Sequence, residues 1–136
     1  MKLYYSPGAC SMAVHITANE AKIAVDLRRV DLFTKTIEGG GDFHQVTAKG
    51  YVPALELDNG EVLTEGAAIM QYIADLKPET GLAPSNGTLA RTRLQSALNF
   101  VSSELHKNMG PLFNPAALPG TRDYSLEILK RRYEFV

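Results

Sequence analysis

The chain has 136 residues, 45% of them hydrophobic and 21% charged, with a formal net charge of −1. That length suits one full domain, or one small domain with part of another, because folded units usually run ~50–200 residues. Near-neutral charge gives no reason to expect nucleic acid or an anionic membrane surface, and a single cysteine excludes an internal disulfide framework and fits a reducing compartment.

Lys2 to Tyr5 is predicted as a short strand that ends at the turn Ser6-Pro7-Gly8. Pro7 and Gly8 also leave no room for the apolar core of a secretory signal, so the expected address is the cytoplasm. From Ser11 to about Ala24, Met12, Ala13, Ile16 and Ile23 recur at helical spacing, and Val25 to Leu32 then alternates as a second strand. Strand, helix, strand implies a parallel pair joined by a crossover. An irregular stretch follows from Phe33 through Gly39-Gly40-Gly41, with a short helix expected near Asp42 to Thr47. Ala54 to Leu57 and Val62 to Thr64 flank Asp58-Asn59-Gly60, the turn chemistry of an antiparallel hairpin. Gly66 to Leu76 carries Ala67, Ile69, Met70, Ile73 and Leu76 on a helical pattern, so the first unit reads βαβ-α-ββα.

Pro78, Gly81, Pro84 and Gly87 mark a connector, which divides the chain into residues 1–77, a linker 78–87 and a helical part 88–136. Leu94, Leu98, Val101 and Leu105 fall on one face of a helix expected from about Leu89 to Asn108, ended by the break "MGPLFNPAALPG". Thr121 to Val136 resumes a helical pattern that Thr121 or Ser125 can cap, and the chain stops in what reads as mid-helix. Two helices cannot bury apolar faces on both sides by themselves, so this second unit reads as incomplete.

The lone thiol, Cys10, sits between the turn and the first helix. A helix start offers unpaired N–H groups and the positive end of the macrodipole, both of which favour thiolate, so its pKa is expected in the ~3.5–7.5 range. Cys10-Ser11-Met12-Ala13 is a C-x-x-C pattern lacking its second cysteine, so the redox partner would be an external small thiol such as glutathione. Pro53 opens a strand, where its missing N–H is tolerated, and a cis Val52–Pro53 bond would present the Val52 backbone to an extended peptide. A helix start at Gly66 offers backbone N–H groups that bind carboxylates, and the Glu65 carboxylate beside it suits an ammonium group. Three scattered histidines and one cysteine have no metal-ligand spacing, and neither His15 nor His44 is given a role.

The element order resembles the thioredoxin-like domain of cytosolic glutathione transferases, and "MKLYYSPGACSMAVHI", "YVPALELDNGEVLTEGAAIMQYIAD" and "SELHKN" resemble their bacterial beta class over essentially the whole chain. The resemblance implies a thioredoxin-like α/β domain followed by the start of an all-α domain, which family members continue with further helices. It implies glutathione transfer to a small electrophile, a detoxification chemistry, with glutathione as co-substrate and no tightly bound cofactor or metal. By the same resemblance, Cys10, Tyr5, Ser11 and His106 are catalytic. Lys35, Val52, Pro53, Glu65, Gly66, Asn99, Ser103 and Lys107 bind glutathione, and the protein pairs as a homodimer with Asn99 and Ser103 near the interface. Gly66 departs from the serine many relatives carry. Two alternatives stay open, a thiol transferase acting through a Cys10 mixed disulfide and a non-catalytic glutathione-binding relative.

Overall fold

The computed structural model describes all residues, Met1–Val136, and divides into two compact units, Met1–Ser85 and Asn86–Val136. The division falls inside the 78–87 stretch of prolines and glycines.

The first unit is built on a four-stranded sheet of β1 (Lys2–Tyr5), β2 (Asp26–Arg29), β3 (Ala54–Glu56) and β4 (Val62–Thr64), in the order β2-β1-β3-β4. β1 runs parallel to β2 and antiparallel to β3, and β3 runs antiparallel to β4. Leu3 lies opposite Leu55 and Tyr4 opposite Ala54, so the period-2 alternation sends Leu3 and Leu55 to one face and Tyr4 and Ala54 to the other. On the first face, Leu3 and Leu55 pack with Val14, Ala18 and Ala21 of the first helical segment and with Ile69 and Ile73. On the second, Tyr4 and Ala54 pack with Val30, Phe43 and Val52, the Tyr4 and Phe43 rings 5.5 Å apart. Each fully buried leucine or isoleucine of this kind stabilises the fold by roughly 1.5–3 kcal/mol.

The expected elements of this unit are present, with different ends. The first helix, α1, spans Ser11–Glu20 rather than reaching Ala24. Lys22 takes the left-handed conformation (φ 54), its N–H donates to the Asn19 carbonyl, and the Ile23 N–H donates to the Ala18 carbonyl. That is a Schellman stop with lysine where glycine is usual, which is why the sequence does not announce it. The second strand is shorter than Val25–Leu32 and fully exposed, an edge strand whose Arg28 pairs with its own Asp26 at 2.7 Å. The helix expected near Asp42–Thr47 is a single 3₁₀ turn, Phe43–Gln45, capped by the Asp42 carboxylate. The hairpin stands as read, with the Gly60 N–H donating to Leu57, and α2 spans Gly66–Leu76.

In the second unit α3 spans Leu89–Phe100, with the Thr88 hydroxyl accepting from the Arg91 N–H. Its axis then continues through a π-helical stretch, Val101–His106, into α4, Lys107–Phe113. The expected stop near Asn108 is therefore wrong. Gly110 and Pro111 lie inside the helix, where Pro111 has no N–H to offer the Lys107 carbonyl, and the helix ends two residues later, at Phe113. The wide π turn also shifts the phase of the apolar stripe, which leaves Val101 exposed and Leu105 buried. The last helix, α5, spans Thr121–Tyr133 and ends before the final residues, not in mid-helix. Neither Thr121 nor Ser125 caps it; Gly120 holds the N-cap position, and Ser125 is buried. Glu104 ties the π stretch to Arg132 of α5 at 2.7 Å.

Candidate functional site

In the first unit, three loci meet at one end of the sheet: the turn before α1, the residues before β3, and the start of α2. The turn is closed by Ser11, whose fully buried hydroxyl accepts from the Ser6 N–H at 3.2 Å and donates to the Ser6 carbonyl at 3.3 Å. Ser11 Oγ is thus a clamp on its own turn, and what the residue offers to its neighbour is its backbone N–H. Cys10 is the N-cap of α1, and its Sγ donates to the Val52 carbonyl at 3.4 Å.

The expected depression of the thiol pKa does not occur. Burial pushes the Cys10 thiol above its ordinary value, the backbone N–H groups of Cys10 and Ser11 pull it down, and the Glu65 carboxylate adds to the rise. The residue as a whole is exposed, yet desolvation is the largest cause, because the sulfur itself lies against the Val52 carbonyl. A helix start alone did not decide the sign; burial of the sulfur, with a smaller push from the Glu65 carboxylate, outweighs the backbone donors.

The Val52–Pro53 bond is cis, and both residues are buried. The Val52 N–H donates to no group of the chain, so this backbone presents a free donor beside a carbonyl held only by a thiol. Glu65 precedes α2 with φ 70, a left-handed residue with no side-chain cap, and Gly66 opens the helix. A Cβ on Gly66 would touch only Pro53 Cγ, at an ordinary 3.6 Å. Tyr5 ends β1, half-buried against the Leu3 and Leu55 face.

Lys35 is no free surface charge. Its ammonium donates to the Gly50 carbonyl at 3.0 Å, and its backbone is left-handed, at φ 59. Sequence reasoning missed Lys49, whose ammonium donates to Thr64 Oγ1 at 3.0 Å and to Glu65 Oε1 at 3.1 Å. No spacing signal could have found it, because only the intervening hairpin brings Lys49 back to Glu65. His44 also acquires a place, its ring packed against Gly50.

The second unit carries the other candidates. Asn99 and Ser103 are exposed and lie one turn apart, with the Ser103 hydroxyl donating to the Asn99 carbonyl at 2.9 Å. His106 closes the π stretch and Lys107 opens α4, both exposed.

The family model described as "Glutathione S-transferase, N-terminal domain" matches residues 8–76, which include all three loci. Glutathione S-transferase GstA of Escherichia coli O157:H7 is 49% identical over 115 residues, covering 85% of this chain and 57% of that protein. Among solved structures, the ternary complex of BphK, a bacterial glutathione transferase, has a TM-score of 0.98 at 50% identity, covering 99% of this chain and 68% of that one. A sphingomonad glutathione S-transferase complexed with glutathione has a TM-score of 0.95 at 47% identity, covering 99% and 67%. The chain thus spans little more than half the length of its curated E. coli relative.

Proposed function

This chain belongs to the glutathione S-transferase family, and from that premise we propose that it binds glutathione at the end of its sheet and directs the glutathione thiolate onto a small electrophile. One observation carries the reading. The unpaired Val52 N–H, the Cys10 thiol at 3.4 Å from the Val52 carbonyl, and the Glu65–Gly66 helix start are gathered on one unit. An extended tripeptide can pair with the Val52 backbone and set its γ-glutamyl carboxylate on the α2 N-terminus. Its sulfur then comes beside Cys10.

A protonated Cys10 suits this role better than a thiolate would. An S–H can donate to the glutathione sulfur as that becomes anionic, and the Cys10 and Ser11 N–H groups add fixed dipoles of the same sign. The glutathione proton passes to solvent, and the thiolate forms a carbon–sulfur bond as the electrophile's leaving group departs with its bonding pair, as chloride does from a chloronitrobenzene. Tyr5 is assigned as a further donor by family resemblance, while Ser11, its hydroxyl held by Ser6, acts through its backbone. Lys35, Pro53, Asn99, Ser103, His106 and Lys107 are assigned to the ligand by family resemblance, as are the cytoplasmic setting and the detoxification role.

Pairing into a homodimer, with Asn99 and Ser103 near the interface, belongs to the same reading, and light scattering at tens of micromolar protein tests it. For the function itself, the measurement is calorimetric titration of the chain with glutathione alongside a conjugation assay with a chloronitrobenzene. Saturable binding with turnover supports the transferase. Binding without turnover makes the chain a glutathione carrier, and no binding at millimolar ligand removes the reading.

A further inference from the structure

We propose that Lys49 fills the cation position at Glu65, so that the site accepts γ-glutamyl-like head groups that lack an α-ammonium. The inference rests on the glutathione reading above. It starts from a single carboxylate: Glu65 is held at φ 70 ahead of α2, and its Oε1 already accepts from Lys49 at 3.1 Å. The same ammonium donates to Thr64 Oγ1 at 3.0 Å, so it has a second acceptor to fall back on.

The turn that carries Lys49 is fixed from several sides. The Gly50 N–H donates to the Thr47 carbonyl at 3.1 Å, and the Gly50 carbonyl accepts from Lys35 at 3.0 Å. The His44 ring lies so close that a Cβ on Gly50 would come within 2.6 Å of it, at a backbone φ of 63. The lysine therefore reaches Glu65 from a held base.

Two cations cannot share this carboxylate without repelling each other. Lys49 already holds Glu65 Oε1, so an α-ammonium entering beside it meets a like charge and gains less from the carboxylate, whereas a ligand without the amine leaves the Lys49–Glu65 pair undisturbed. Lys49 thus relaxes the demand for the amine and widens the ligand class to ω-carboxyacyl thiols such as glutaryl-cysteinyl-glycine. The pair is exposed, 51% at Lys49 and 72% at Glu65, so the expected effects are small multiples.

The test is a binding cycle with glutathione and glutaryl-cysteinyl-glycine on the native chain, Lys49→Met and Lys49→Gln, with circular dichroism confirming that each is folded. The native chain should bind the two ligands within ~threefold of each other. In both variants the amine deletion should cost ~fivefold more than in the native chain, and in a Glu65→Gln background it should cost the same with or without Lys49. An equal cost of amine deletion in native and Lys49→Met chains overturns the proposal. So does a Lys49→Gln chain that behaves like the native one, since the bond to Thr64 rather than the charge would then be responsible. Failure of the native chain to bind glutathione at all removes the glutathione reading itself, an outcome distinct from both.

Discussion

At the scale of single residues, Cys10 decides which chemistry the chain can perform. Burial against the Val52 carbonyl and the Glu65 carboxylate raise its pKa, so the thiol is protonated at neutral pH and poorly nucleophilic. The rate of alkylation by iodoacetamide should therefore rise with pH to a midpoint above the ~8.5 of a free cysteine, and a midpoint below 7 would refute this placement of the sulfur. Cys10→Ala removes one donor from a site that keeps two backbone N–H groups, so conjugation should fall by only ~10–100-fold. Mixed-disulfide formation with oxidised glutathione, in which the protein sulfur attacks and one glutathione leaves, should vanish from that variant in mass spectra. Complete loss of conjugation in a folded Cys10→Ala chain would instead make the thiol indispensable. Gly66 offers the complementary gain: a serine Cβ meets only Pro53 Cγ at 3.6 Å, and its hydroxyl would stand at the start of α2. Gly66→Ser should tighten glutathione by ~2–10-fold without loss of stability, a shift that calorimetry resolves.

At the scale of elements, β1 and β3 are joined by more than their ladder. Tyr4 donates to Glu56 Oε2 at 2.7 Å, and Lys2 donates to Glu56 Oε1 at 2.6 Å. Burial and then the Glu56 contact push the Tyr4 pKa up to about 12, so its contribution to stability is complete below about pH 10 and is lost as pH rises through about 12. The bonds from Lys2 and then Tyr4 hold Glu56 below its ordinary value, so its contribution is present above the ordinary carboxylate range and is lost as pH falls through the depressed pKa. Urea denaturation across pH should show a steeper alkaline limb for the native chain than for Tyr4→Phe, and a steeper acid limb than for Glu56→Gln. Identical limbs would mean that the cross-strand contact is not maintained in solution. The pairing was legible in part: the Ser6-Pro7-Gly8 turn placed the end of β1, and Asn59-Gly60 placed the hairpin, because both signals are local. The Schellman stop at Lys22 and the π turn at Val101–His106 were not, because neither uses the residues that normally mark such features. The site divides the same way, since Cys10, Val52, Pro53, Glu65 and Gly66 sit at motif positions. The reversed thiol shift and the Lys49–Glu65 pair depend instead on contacts between segments far apart in the chain.

At the scale of the whole molecule, the two units differ in how much they bury. Apart from Leu105 and Leu129, every buried hydrophobic side chain belongs to the first unit, where both faces of the sheet are covered. In the second unit Leu89, Phe113, Leu118, Tyr124 and Phe135 are each at least 66% exposed, and its helices are joined by contacts such as the Phe100–Phe135 edge contact and the Glu104–Arg132 pair, with little buried apolar surface between them. Opening free energy follows the apolar contact that opening destroys, so the two units should not open together. Native-state hydrogen exchange should find the slowest amides in β1, β3, α1 and α2, with α5 exchanging through a separate opening of lower free energy. Because Cys10, Val52, Pro53, Glu65 and Gly66 adjoin or open those slow elements, mild denaturant that opens α5 should leave glutathione binding measurable by calorimetry. If instead all helices exchange with one free energy and binding disappears as α5 opens, the chain behaves as one cooperative body, and the site depends on the second unit as much as on the first.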